Sequence, residues 1–203
     1  MQSVLIVGGG GRIGRSVAND VCKYADAQVT LTGRRLEPDF ALSENQIYQP
    51  LLLADEAAVE SAIAQHDLVI HCAGPFRNRN HHVLVSCIDQ GKPYLDVADS
   101  PDYVNQALKY RESAQKVGVT AVLSTGIFPG ISGSMVRQGI EQLDKAEGVH
   151  LSYLVAGSGG AGLTVMRTTF IELQTPFMSK VNGRWQAIAP YSEREVLDFP
   201  RYG

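Results

Sequence analysis

Val4-Leu5-Ile6-Val7-Gly8-Gly9-Gly10-Gly11-Arg12-Ile13-Gly14 decides how the rest of the chain is read. Four apolar residues run unbroken into the glycines, as expected of a strand buried on both faces. Beyond the glycines, Ile13, Val17, Ala18, Val21 and Cys22 recur at helical spacing. Strand, glycine turn and helix form the context in which a glycine motif carries physical meaning. Glycines let the backbone turn tightly and approach a diphosphate, while the open N–H groups and dipole of the helix favour negative charge. Two registers fit: Gly9, Gly11 and Gly14 make GxGxxG, and Gly8, Gly11 and Gly14 make GxxGxxG. The expected diphosphate cradle is therefore Gly8, Gly9, Gly11, Arg12, Ile13 and Gly14.

Working outward, Gln28-Val29-Thr30-Leu31-Thr32 reads as a second strand that ends in Gly33-Arg34-Arg35. A site that prefers NAD places an acid about 20 residues beyond the glycine turn to hold the ribose 2′-hydroxyl. Here no acid stands between Asp26 and Glu37, and Arg34 and Arg35 occupy the strand end. A planar, permanently charged guanidinium suits a 2′-phosphate or an adenine face. The expected cofactor is NADP, with NAD the less favoured choice.

Four more strands are expected, at 47–53, 67–72, 94–97 and 119–124. Between them Asp55 reads as a helix N-cap, Val83 to Ile88 as a helix, and Ser100-Pro101 as the start of another that runs to Gly118. This alternation predicts an α/β fold, a doubly wound parallel sheet of Rossmann type, over residues 1–130. In such sheets ligands lie at the carboxyl ends of the strands. That places Ala73, Gly74, Pro75 and Phe76 on one side of the nicotinamide and Gly126, Pro129 and Gly130 on the other. Asp96, at the end of the fifth strand, is the candidate acid/base or amine-binding group, with a helix-capping or loop carboxylate as the alternative. Asp99 reads as a cap, and Arg77 and Arg167 are candidates for a substrate carboxylate. His71 reads as a packed core residue. His81 and His82 lack a third ligand at zinc spacing, so no metal is expected.

After residue 130 the pattern changes. A helix at 132–143, an alternating strand through Val149, Leu151, Tyr153 and Val155, and a glycine loop at 158–162 are expected. A helix carrying Leu163, Met166, Phe170 and Leu173 follows, and Asn182-Gly183 signals a hairpin. Residues 131–203 thus read as a smaller α+β domain for substrate binding or dimerisation, incomplete as it stands.

The chain has 203 residues and a net charge of −3 without a basic tract, which argues against nucleic acid and anionic membrane as partners. Cys22, Cys72 and Cys87 lack CxxC spacing and read as buried thiols in a reducing compartment. The N-terminus has no basic segment before a long apolar run, so the expectation is a cytoplasmic protein.

Several segments together resemble the saccharopine dehydrogenase (saccharopine reductase-like) family: VLIVGGGGRIG at 4–14, VTLTGRR at 29–35, DLVIHCAGPF at 67–76, CIDQGKPYLDVAD at 87–99, GVTAVLSTGIFPGIS at 118–132 and, loosely, NGRWQAIAP at 182–190. The resemblance implies an NAD(P)-binding Rossmann domain followed by an α/β substrate domain. It also implies reduction of an imine formed from an aldehyde and an amino acid, or the reverse. Phe128 departs from the family pattern, which often has an acid at that position. Short-chain dehydrogenases share the glycine spacing, but none of the eight tyrosines has Lys four residues later. The rival expectation is a non-catalytic NADP-binding sensor. The second domain is expected to pair with its like in a homodimer, because open sheet edges attract other chains.

Overall fold

A computed structural model of the protein describes residues 1–36, 40–153, 163–192 and 195–197. They fall in two compact units, Met1–Leu154 and Val155–Gly203.

The first unit is built on six parallel strands: β1 (Gln2–Val7), β2 (Ala27–Gly33), β3 (Gln46–Pro50), β4 (Leu68–His71), β5 (Tyr94–Asp96) and β6 (Ala121–Val122). They lie in the order β3-β2-β1-β4-β5-β6. That order puts a topological switch point between β1 and β4, and crevices for ligands open at such points. Helices α1 (Arg12–Tyr24), α2 (Glu56–Ala64), α3 (His82–Asp89), α4 (Pro101–Ala107), α5 (Arg111–Val117) and α6 (Ile131–Ile140) complete the unit.

The apolar run of β1 is explained by its two buried faces. Leu5 and Val7 join Val59, Ile63, Val69, Leu84, Cys87 and Tyr94 in one core cluster. Val4 and Ile6 join Ala18, Val29, Leu31 and Ile70 in another. Each such side chain contributes roughly 1.5–3 kcal/mol on burial. The sheet therefore anchors the glycine turn that leaves its central strand.

The caps behave as their residue types require. Asp55 accepts a hydrogen bond from the Ala58 N–H at 3.0 Å and starts α2. Ser100 starts α4, with Pro101 at the first helical position.

Several expectations are corrected. The third strand ends at Pro50 rather than running to Leu53, since its partner β2 ends at Gly33, opposite Pro50. The single helix expected from Ser100 to Gly118 is broken by a 3-10 turn at Leu108–Tyr110 into α4 and α5. The helix expected at 132–143 runs from Ile131 to Ile140. Residues 149–153 form no strand, and Val149, Leu151 and Tyr153 are exposed. Alternation alone does not make a strand when no neighbouring ladder receives it. Val155 and the 158–162 loop lie outside the described residues.

In the second unit, α7 (Leu163–Glu172) precedes an antiparallel pair, β7 (Phe177–Val181) and β8 (Arg184–Ile188). Asn182 and Gly183 turn the hairpin at φ 50° and 77°, the left-handed pair that a two-residue turn requires. Met166 and Phe170 are exposed and not core; of the three cysteines expected to be buried, Cys87 is, while Cys22 and Cys72 are half-buried. Among the described residues, no helix is long and apolar enough to cross a membrane.

Candidate functional site

The glycine turn is packed so closely that its residue types are dictated by space. Gly8 has φ +84°, and a Cβ there would stand 2.7 Å from the Ala73 N–H nitrogen. At Gly14 a Cβ would overlap the Gly8 carbonyl oxygen and lie 2.7 Å from the Gly9 Cα. Both GxGxxG and GxxGxxG therefore describe real constraints: Gly8 lets β1 meet the β4 loop, and Gly14 lets α1 meet the turn. The Gly11 N–H donates to the Gly8 carbonyl at 3.0 Å and closes the loop.

Gly11 is the N-cap of α1, with no side-chain cap bond and no acid in the first turn. A helix start leaves several N–H groups without intrahelical partners. The first-turn residues Arg12 and Ile13 are exposed. Arg15, one turn into α1, lays its guanidinium 4.2 Å from the centre of the Phe40 ring. The residues present fit the diphosphate of a dinucleotide.

Arg34 and Arg35 follow Gly33 at the end of β2 and are exposed. On the other flank of β1, the chain leaves β4 through Ala73, Gly74 and Pro75 to Phe76, which is buried. Arg79, not singled out from the sequence, holds this turn from outside. Its Nε–H donates to the Ala73 carbonyl at 2.9 Å and its Nη2 to the Gly74 carbonyl at 3.0 Å. A 3-10 turn at Phe76–Asn78 brings Arg79 round, whereas Arg77 is exposed. No local pattern marks one arginine over the other.

Asp96 is placed differently from the expectation of an acid facing the crevice. It is fully buried. Oδ1 accepts from the Ser124 N–H at 2.8 Å and the Ala98 N–H at 3.1 Å, and Oδ2 accepts from the Tyr94 hydroxyl at 3.0 Å. Its backbone carbonyl receives both the N–H and the hydroxyl of Thr125, at 2.8 and 2.7 Å. Burial raises its pKa, opposed by the hydrogen bonds from Ser124, Ala98 and Tyr94. The carboxylate thus ties the ends of β5 and β6 together.

The Tyr94 hydroxyl extends the network. It lies 3.1 Å from His71 Nδ1 and 3.3 Å from the Tyr103 hydroxyl. With Tyr94 donating to Asp96, His71 Nδ1–H is the donor, and Nε2 has no hydrogen-bond partner among the described residues. Burial, and then the Arg79 charge, push the His71 pKa down to about 3. His71 is a core residue, as its place in the strand implies. His81 stacks on Tyr103 with ring centres 4.3 Å apart. His82 instead faces the carboxylates of Glu56 and Glu60, at 4.0 and 3.7 Å.

After β6, Ser124 adopts φ 60°, and its buried Oγ has no partner among the described residues. The chain then loops so that Gly126 and Gly130 form a bridge, with Pro129 exposed between them. Phe128 is exposed, and its ring centre lies 5.7 Å from that of Tyr153. This loop stands two strands away from Ala73–Phe76, and β5 lies between them.

A family profile described as the saccharopine dehydrogenase NADP binding domain matches residues 4–122. Carboxynorspermidine synthase from Vibrio alginolyticus is 24% identical over 153 residues, covering 68% of this chain and 36% of that protein. A human saccharopine dehydrogenase-like oxidoreductase is 29% identical over 117 residues, covering 56% of this chain and 27% of that one. The fold matches apo saccharopine dehydrogenase (L-Glu forming) from Saccharomyces cerevisiae with a TM-score of 0.71 at 21% identity. That match covers 100% of this chain and 48% of the yeast chain. The matches to these curated relatives span about a third of their length or less.

Proposed function

This chain belongs to the saccharopine dehydrogenase NADP-binding domain family, and on that premise we propose that it binds NADP(H) in an oxidoreductase reaction on a C=N or C=O bond of an amino-acid-like substrate. The observation that carries the reading is the glycine turn, where neither Gly8 nor Gly14 has room for a Cβ. Beside it α1 offers its first turn without a side-chain cap or an acid. Gly8, Gly9, Gly11, Arg12, Ile13 and Gly14 would hold the diphosphate, and Arg34 and Arg35 the 2′-phosphate. Ala73, Gly74, Pro75 and Phe76 would border the nicotinamide ribose, with Gly126 and Pro129 on the β6 side. The bound nicotinamide would supply or accept the hydride. The chain's own residues fix its position and exclude water around it. Asp96 takes part by holding the β6 loop through the Ser124 N–H.

The test is a pair of titrations. NADPH should bind at least several-fold tighter than NADH, because one charge-assisted contact is worth roughly 1.5–3 kcal/mol. Arg34→Ala should narrow the gap. Superimposable curves for the two cofactors on the unmodified chain overturn the reading.

The burial of Asp96 favours a second reading, cofactor binding without turnover by these residues alone. NADPH consumption in mixtures of an aldehyde and an amino acid separates the two. We further propose a homodimer through the second unit, supported by the open edges of the β7–β8 hairpin and the exposed Phe177, Met178 and Trp185. A stable monomer in light scattering removes it.

A further inference from the structure

Two arginines follow the two strands that flank β1, and only one of them belongs to the strand end where a 2′-phosphate is ordinarily met. Arg34 follows β2, which pairs with one edge of β1, and Arg79 grips the loop after β4, which pairs with the other edge. The Ala73–Gly74 backbone that Arg79 holds is the same backbone that packs against Gly8. Arg79 is therefore beside the glycine turn and not out on the surface. Two of its nitrogens are used on the Ala73 and Gly74 carbonyls, which leaves the Nη1 donors uncommitted among the described residues. Burial lowers the Arg79 pKa, and the neighbouring Arg34 charge lowers it further. Neither guanidinium meets a carboxylate among the described residues. A guanidinium remains charged at neutral pH, so the pair is a concentrated positive spot whose repulsion an anion between them would relieve.

We propose that Arg79 is a specificity-determining residue that shares the 2′-phosphate of NADP with Arg34, while its other nitrogens fix the Ala73–Gly74 turn. The inference rests on the reading that this crevice takes a nicotinamide dinucleotide. It goes beyond that reading by making recognition of the 2′-phosphate span both edges of β1. A phosphate dianion accepts several charge-assisted bonds at once, and two planar forks satisfy it better than one.

The experiment uses Arg79→Gln, which keeps an N–H donor for the loop carbonyls and removes the charge. NADPH and NADH are titrated against the unmodified chain and the variant, with 2′-AMP and 5′-AMP as probes of the adenosine end alone. The variant should lose at least about tenfold in affinity for NADPH and 2′-AMP. Affinity for NADH and 5′-AMP should stay within about threefold, the size of a modest structural disturbance. Equal losses for both members of each pair, or no loss at all, overturn the role. Absence of any 2′-phosphate preference in the unmodified chain instead overturns the cofactor reading itself. A measurement that needs no variant is labelling of arginines by phenylglyoxal, read peptide by peptide. NADPH should protect Arg79 and NADH at equal occupancy should not, and equal protection by the two also overturns the proposal.

Discussion

The ends of β1 and β5 handle the same physical problem in opposite ways. Beyond each, backbone N–H groups need an acceptor, and the crevice is close by. After β5 the chain supplies its own anion: Asp96 receives the N–H groups of Ala98 and Ser124 and the hydroxyl of Tyr94. After β1 it supplies none: α1 opens on Gly11 with no side-chain cap and no acid in its first turn. One strand end is closed by a carboxylate and the other is not, although both lie where ligands of such sheets are found.

The sealed end should be the costlier one to break. Asp96→Ala leaves one buried and one half-buried backbone donor unpaired, each costing about 1–3 kcal/mol, while the Tyr94 hydroxyl keeps His71 and Tyr103 as partners. A loss of about 4 kcal/mol is expected in urea unfolding. Asp96→Asn keeps an oxygen for Ala98 and Ser124 and should cost only about 1 kcal/mol. If Asp96→Ala is as stable as the parent and merely inactive, Asp96 is a catalytic group after all and the contrast collapses.

At the open end, Gly14→Ala drives a methyl into the backbone of Gly8 and Gly9. A shift of α1 away from the turn should cost about 3 kcal/mol and abolish NADPH binding. A folded Gly14→Ala protein with normal affinity would show that the turn does not hold the diphosphate.

The sequence carries the open end well and the sealed end poorly, for a physical reason. Glycines leave no room for substitution, and an unbroken apolar run marks a central strand, so the turn and the order of the elements around it are local signals. The burial of Asp96 depends on Ser124, 28 residues away, and Arg79 depends on a 3-10 turn that chooses it over Arg77. Nor does the local pattern show the break at Leu108–Tyr110 or that Val149, Leu151 and Tyr153 form no strand. The Asn182-Gly183 hairpin was legible because its turn is specified by two adjacent residues.

The His71 network gives a pH test of the sealed end. His71 has a folded pKa of about 3 against an ordinary 6.5. Its contribution to stability is therefore complete above 6.5 and is lost as pH falls toward 3, by up to about 1.4 kcal/mol per pH unit. Asp96 works in the opposite sense, because its raised pKa makes the folded state take up a proton more readily as pH falls. The two are separated by comparing the parent with His71→Leu, which keeps Asp96. The variant should be less stable at pH 7 through the lost Tyr94 contact, yet lose less on acidification to pH 5. Parallel stability curves for parent and variant would mean that His71 takes up its proton in the folded state without penalty, and is not sealed.

The smallest change in stability should come from closing the open end as the chain closes others. Asp55 caps α2 by accepting from the Ala58 N–H, a contact worth about 1 kcal/mol. Gly11, at the same position of α1, has φ −82° and ψ 168°, an extended conformation open to any residue. A Cβ there would meet only the Gly8 carbonyl oxygen, at 3.3 Å, so a side chain is tight but not excluded. In Gly11→Asp the new carboxylate would accept from the first N–H groups of α1 and favour the helix dipole. That gain opposes the close contact, and unfolding in urea should shift by less than about 1 kcal/mol. Binding should not be so tolerant, since the carboxylate occupies the donors meant for the diphosphate and repels its charge. NADPH affinity is expected to fall by at least about tenfold, the equivalent of one lost charge-assisted contact. Gly11→Ala controls for bulk, having the Cβ without the charge, and should lose less. If Gly11→Asp binds NADPH as the parent does, the open helix start is not where the anion sits, and the difference between the two strand ends has no bearing on ligand binding.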